Sequence, residues 1–221
     1  MTKLLTVLLI ALAGVPGLLP GARGADTHAL IGWLVMVAAA CGSLARGAGL
    51  RYLPHGVAVL GAWGFLLALV STRGLASPLG AWCIVGALYT LGYIAGGTMA
   101  RSLWLYCATV VLALAPCAGL WAGVPLPLAW AEFSLQVSPL VAALAAGGVD
   151  VLRHPLLYES AATADLPLGW NAWSDGVLAP LSAFVLTFCA AWWLDTRAPS
   201  ARHEPSMPSP QPAQGRDPTK P

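Results

Sequence analysis

The residues best suited to chemistry gather in one stretch, Val124 to Gly176. It holds Glu132, Asp150, Glu159, Asp165 and Asp175, five of the nine acids in the 221-residue chain, with Arg153 and His154 among them. Its centre reads Val149-Asp150-Val151-Leu152-Arg153-His154-Pro155-Leu156-Leu157-Tyr158-Glu159. An imidazole exchanges protons near neutral pH and a neighbouring carboxylate orients it. His154 is therefore the candidate base or metal ligand, with Glu159 or Asp150 as its carboxylate partner and Arg153 beside it. The competing reading is a solvated loop whose charges pair locally, Asp150 with Arg153 for example. No Walker A, HExxH or GxSxG motif decides between them.

Other constellations carry less. His28 falls on the same side of the membrane as His154, and two axial imidazoles could hold a haem. Ligands of b-type haems normally sit within the spans, and neither histidine does, so no cofactor is expected. His55 falls at the opposite face. The five cysteines, Cys41, Cys83, Cys107, Cys117 and Cys189, stand in apolar runs without a CxxC pair or Cys/His cluster. They read as small apolar packers, with no metal site or disulfide framework implied.

The elements that must position these residues are membrane helices. Of the residues, 58% are hydrophobic and 9% charged, against about 25% charged in soluble domains. The mean hydropathy is +0.74. No Asp, Glu, Lys, Arg or His interrupts Ala29 to Ala45, Gly56 to Val70, Leu79 to Ala100, Leu103 to Ala122 or Val177 to Leu194. Ionisable groups inside spans usually mark ion paths or ligand sites, and this pattern places none there. The expected fold is an all-α polytopic transmembrane bundle with spans at about 28–45, 56–72, 79–100, 103–122 and 177–194, and an outer segment at 124–176. Within that segment, the apolar part Pro139 to Val149 is too short to cross about 30 Å of hydrocarbon, so 130–149 reads as re-entrant or interfacial.

The N-terminus carries one Lys, an apolar run from Leu4 to Val15, Pro16, Pro20 and a small-residue site before Ala25. Residues 1–24 are thus a cleavable signal peptide or, uncleaved, a first span, giving five or six spans. If 130–149 does not cross, Arg46, Arg51, Arg101, Arg197, Arg202, Arg216 and Lys220 lie inside, and Arg23, Arg73 and Arg153 outside. That agrees with the positive-inside rule; a crossing would break it. Tryptophans then form two belts, Trp33, Trp82, Trp121 and Trp130 outside and Trp104, Trp192 and Trp193 inside, with Trp63 mid-span. Residues 195–221, with seven prolines, read as a disordered cytoplasmic tail. The expected location is the bacterial inner membrane.

Gly92, Gly96 and Ala100 form one small-residue stripe, and Ala115, Gly119 and Gly123 another, suited to close helix packing within the bundle or against a second subunit. The net charge of +2 is too small and too scattered for nucleic-acid binding. Three functions remain. The first is a non-catalytic membrane subunit packed in the bilayer against a membrane-protein partner or in a homo-oligomer. The second is a permease component passing an apolar or lipid-like substrate, whose topology is similar to the permeases of ABC-2-type transporters. The third is a membrane enzyme with an outer-face site around His154. The subunit reading accounts for the charge-free runs, the small-residue stripes and the short loops together.

Overall fold

The structure, a computed structural model, describes residues 2–14, 26–71, 78–118, 127–149 and 178–197. A backbone in hydrocarbon must satisfy its own hydrogen bonds, so apolar runs of span length become helices. The described residues form α1 (Thr2–Leu12), α2 (Asp26–Gly47), α3 (Tyr52–Ser71), α4 (Pro78–Ala95), α5 (Met99–Leu114), α6 (Leu128–Val137), α7 (Pro139–Ala146) and α8 (Leu178–Arg197). A 3-10 turn, Ala115–Cys117, prolongs α5. Among the described residues, five helices are long and apolar enough to cross a membrane: His28–Gly47, Tyr52–Leu69, Pro78–Ala95, Met99–Cys117 and Leu178–Arg197. The architecture is an all-α helical bundle.

The centre of the bundle is the α2–α4 pair. Glycine lets two helix backbones approach closely, and here it does so repeatedly. A Cβ at Gly92 would run into the backbone of Ala39, one at Gly42 into Tyr89, and one at Gly97 into Ser43. The pair is parallel, since Ala39 meets Gly92 while Arg46 further along reaches Ile94. α8 runs parallel to α4 on its other side, with Phe184 against Trp82 and Asp195 at Tyr93. α3 is antiparallel, Tyr52 meeting Thr90 and Leu60 meeting Trp82. α5 also runs back, from Ser102 beside Ser43 to Ala113 beside Ser138. The result is an end that carries Arg46, Arg51, Arg101 and Arg197, here called the arginine end, and an opposite end.

α6 and α7 stay at the opposite end. They are bent by 68° at a break between Val137 and Pro139. Ser138 makes the joint: its side chain accepts from Val141 N as N-cap of α7 and donates to Ala113 O at 3.1 Å. Proline follows at the first helical position, where its missing N–H is no loss. α7 starts beside the end of α5, lays Leu140 on Gly32, and finishes with Ala146 against Gly80 near the start of α4. Its two ends therefore touch the same end of the bundle. α6 and α7 thus form a bent pair beside that end of the bundle, apart from the five helices of span length.

Two element boundaries differ from the apolar runs, and both have local causes. The run Leu79 to Ala100 is not one helix: α4 stops at Ala95 and α5 begins at Met99. Gly96 takes φ +72°, the left-handed conformation that ends helices. Thr98 then caps α5, its side chain accepting from Arg101 N. The Gly96–Gly97 pair is thus a turn between spans and not part of one. α3 in turn begins at Tyr52, four residues before Gly56. Pro54 falls in its first turn, where its N–H would be unpaired in any case.

α1 packs against α3 and α2. Ile10 is buried in the main core, Trp63 Nε1 donates to Ala11 O, and Trp33 Nε1 donates to Ala13 O.

Candidate functional site

The early start of α3 carries His55 into the bundle. The helices extend beyond the charge-free runs: α3 includes His55, α2 includes Arg46, and α8 runs past Asp195 to Arg197. The charge-free runs are real, but helices outlast them, because capping and turn residues rather than charges set the helix ends. These groups converge with three tyrosines at the arginine end.

Arg46 closes α4. Its Nη1 donates to Tyr93 O at 3.2 Å and Ile94 O at 2.8 Å, carbonyls in the last turn of α4, of which Tyr93 O also accepts from Gly96 N. Its guanidinium carbon also lies 5.7 Å from the centre of the Tyr93 ring, in cation–π range. Ser43 donates to Gly96 O, and the single proton of the Ser102 hydroxyl faces two acceptors, Ser43 Oγ and Thr98 O, so the α4–α5 turn is held to α2 by side chains.

Tyr52 and Tyr93 join the other helices. The Thr90 hydroxyl donates its one proton to Gly86 O at 2.7 Å, so the 2.6 Å contact with Tyr52 has the tyrosine as donor. The Tyr93 hydroxyl faces two acceptors, Leu50 O at 2.9 Å and Asp195 Oδ1 at 3.1 Å. It thereby touches the start of α3 and the last turn of α8 at once.

His55 sits among the tyrosines. It is 4% exposed, with ring centroids 5.5 Å from Tyr93, 6.1 Å from Tyr52 and 6.3 Å from Tyr89. Nδ1 contacts Arg51 O. A carbonyl only accepts, so Nδ1 holds the proton and Nε2 of the neutral ring is an acceptor. That Nε2 is buried with no hydrogen-bond partner, and so is the hydroxyl of Tyr89, which is fully buried. An unpaired buried polar group costs about 1–3 kcal/mol. Two of them on adjacent rings, one an acceptor and one able to donate, mark this cluster off from the rest of the core.

Of the residues that the sequence singled out, Asp150, Arg153, His154 and Glu159 lie outside the described residues, as do Gly119 and Gly123. Glu132 is half-buried in α6. Gly92 works in the α2–α4 seam, Gly96 in the turn, Ala100 is exposed at the start of α5, and Ala115 opens the 3-10 turn. Gly92, Gly96 and Ala100 therefore do not share one helix face. Among the described residues, no three of His, Cys, Asp and Glu are grouped so as to hold a metal. Cys41 and Cys83 are buried, while Cys107 and Cys189 are exposed.

Sequence reasoning missed His55, Arg46, Tyr89 and Tyr93 as a group. The available signal was Pro54 as a first-turn proline, which puts His55 inside the helix that follows. Together the bundle and its five apolar helices of span length define a polytopic helical membrane protein, with the polar cluster at one end. No protein-family model matches the chain, and neither does any curated protein or solved structure.

Proposed function

We propose that the chain is an integral membrane subunit that packs against a helix of a membrane-protein partner or of a second copy through the exposed face of α3. The observation that carries this is Gly61. Gly42, Gly92, Gly97 and Gly80 each have a neighbouring backbone where a Cβ would stand, whereas Gly61 has nothing within 4 Å. Glycine in mid-helix costs about 1 kcal/mol relative to alanine. Helix association in bilayers rests on close van der Waals approach at small residues, and a glycine on an open face offers that to a helix outside the fold. Ala58 and Phe65, also exposed, extend the same face on either side of Gly61.

The test is Gly61→Leu in protein purified through a tag in mild detergent. The native protein should elute as a complex of defined mass, and the variant as the single chain with its thermal stability kept. Equal masses for both overturn the reading. A stoichiometric ATPase in the complex would instead favour a permease component. An activity lost on His154→Ala would favour an outer-face enzyme.

The positive-inside rule supports an arginine end that faces the cytoplasm of a bacterial inner membrane, with the tail beside it. A Cys placed at Ser209 should resist an impermeant thiol reagent in intact cells. The two indole donors that α1 satisfies support its retention as a helix of the bundle. N-terminal sequencing should return Met1 or Thr2, and Ala25 would show a removed signal peptide.

A further inference from the structure

We infer that His55 and Tyr89 form an intramembrane binding site for a neutral hydroxyl group, which donates to His55 Nε2 and accepts from the Tyr89 O–H. The inference starts from the two orphan atoms. His55 Nε2 and Tyr89 Oη are the buried side-chain polar atoms left without a partner among the described residues, and they belong to rings 6.3 Å apart. Native interiors rarely tolerate one such atom, and finding a complementary acceptor and phenol side by side points to a missing third group.

Chemistry narrows that group. Nε2 offers a lone pair and no proton, because Nδ1 is committed to Arg51 O. The ligand must therefore bring a donor. The Tyr89 hydroxyl is free to donate, so the ligand must also accept. One hydroxyl does both, and a carbonyl, an ammonium or a carboxylate does not. A charged ligand is disfavoured by the low-dielectric surroundings. The nearest charges are already engaged: Arg46 on the α4 carbonyls and Asp195 on Tyr93. A metal would need further ligands, and none group around His55 among the described residues. The walls are aromatic, with Tyr52 and Tyr93 packed on the imidazole and Trp63 edge-on to Tyr89 at 5.6 Å.

Two sources supply this chemistry: a buried water, or the head of an apolar phenol or alcohol dissolved in the bilayer. Solution or solid-state ¹⁵N spectra of histidine-labelled protein in lipid nanodiscs distinguish them. Replacing the other three histidines (His28→Gln, His154→Gln and His203→Gln) leaves His55 as the sole signal, and 4-hexylphenol is the probe. The expected spectrum has the proton on Nδ1, and an Nε2 resonance shifted to lower frequency by an accepted hydrogen bond. Tyr89→Phe, which removes one unpaired hydroxyl and no packing contact, should move that resonance.

Saturable displacement of the resonance by 4-hexylphenol, weakened about tenfold in Tyr89→Phe as expected for one lost hydrogen bond, assigns the site to a bilayer hydroxyl. A hydrogen-bonded Nε2 that shifts in Tyr89→Phe but ignores the phenol assigns it to water. Three results overturn the site: an Nε2 at the free-lone-pair position with and without phenol, a proton on Nε2, or a resonance that Tyr89→Phe leaves unchanged. The first and second need no variant at position 89, so a misfolded Tyr89→Phe does not shield the inference.

Discussion

The two ends of the bundle solve one problem in different ways. A helix that stops in or near hydrocarbon leaves four carbonyls or four N–H groups without intrahelical partners. At the arginine end, long side chains meet that need across helices: Arg46 on the last carbonyls of α4, Ser43 on the α4–α5 turn, and Tyr93 on Leu50 O. At the opposite end, the solution is a helix laid across the bundle. α7 brings its own cap, Ser138, which also serves Ala113 O, and rests Ala146 on Gly80 without an intervening side chain. One end is hydrogen-bonded through side chains that reach between helices, the other is closed by backbone packing. They should fail differently.

Gly80→Leu strikes the opposite end most directly. A side chain at 80 must displace the backbone of Ala146, which has no flexible tip to move aside. Overpacking of this kind costs about 1–3 kcal/mol, and occasionally more, and should lower the midpoint of SDS-driven unfolding in mixed micelles clearly. Gly61→Leu, on an open face, should move the same midpoint little. Similar midpoints for the two variants would mean that α7 does not close the opposite end.

Arg46→Ala attacks the other end and should have an effect of comparable size. It leaves Ile94 O and Tyr93 O without their charged donor, and hydrogen bonds to charged groups contribute about 1.5–3 kcal/mol. Arg46→Lys keeps a charge but loses the planar fork, so it should recover part of the stability. Full loss in both variants would show that the guanidinium's stacking on Tyr93 matters more than its charge. Full recovery with Lys would show the reverse.

The contrast between the ends also explains what the sequence made legible. Five spans were readable because apolar length needs no tertiary information, and 130–149 stood apart because its apolar part is short. The seam between α2 and α4 was half readable: Gly92 stood out, but its partner is Ala39 on α2, a pairing across 53 positions that no local pattern contains. The polar cluster was not read, although its members were visible. Reading spans as charge-free runs truncates α3 at Gly56 and leaves His55 in a turn, whereas Pro54 in a first turn extends the helix to Tyr52. Tyr89 and Tyr93 lie in the run Leu79 to Ala100 with no local mark on them, and what distinguishes them is the imidazole that α3 brings alongside. The acids and histidine of 150–159 are dense in sequence and lie outside the described residues, whereas the His55 cluster is assembled across helices. Density along the chain and convergence in space are separate properties.

The smallest expected effect tests how the arginine end is held to α8. The Tyr93 hydroxyl has one proton and two acceptors, Leu50 O at 2.9 Å and Asp195 Oδ1 at 3.1 Å. Tyr93→Phe removes both contacts and should cost about 1 kcal/mol in the same unfolding assay. Asp195→Asn should cost less, because its amide donates to the tyrosine oxygen and lets the phenolic proton go wholly to Leu50 O. The link between α4 and α8 then survives with its polarity reversed. A loss in Asp195→Asn as large as in Tyr93→Phe would mean that the carboxylate charge, and not the hydrogen-bond geometry, ties α8 to the cluster. The arginine end would then be an electrostatic assembly, sensitive to salt where it meets solvent, while the opposite end stays indifferent to it.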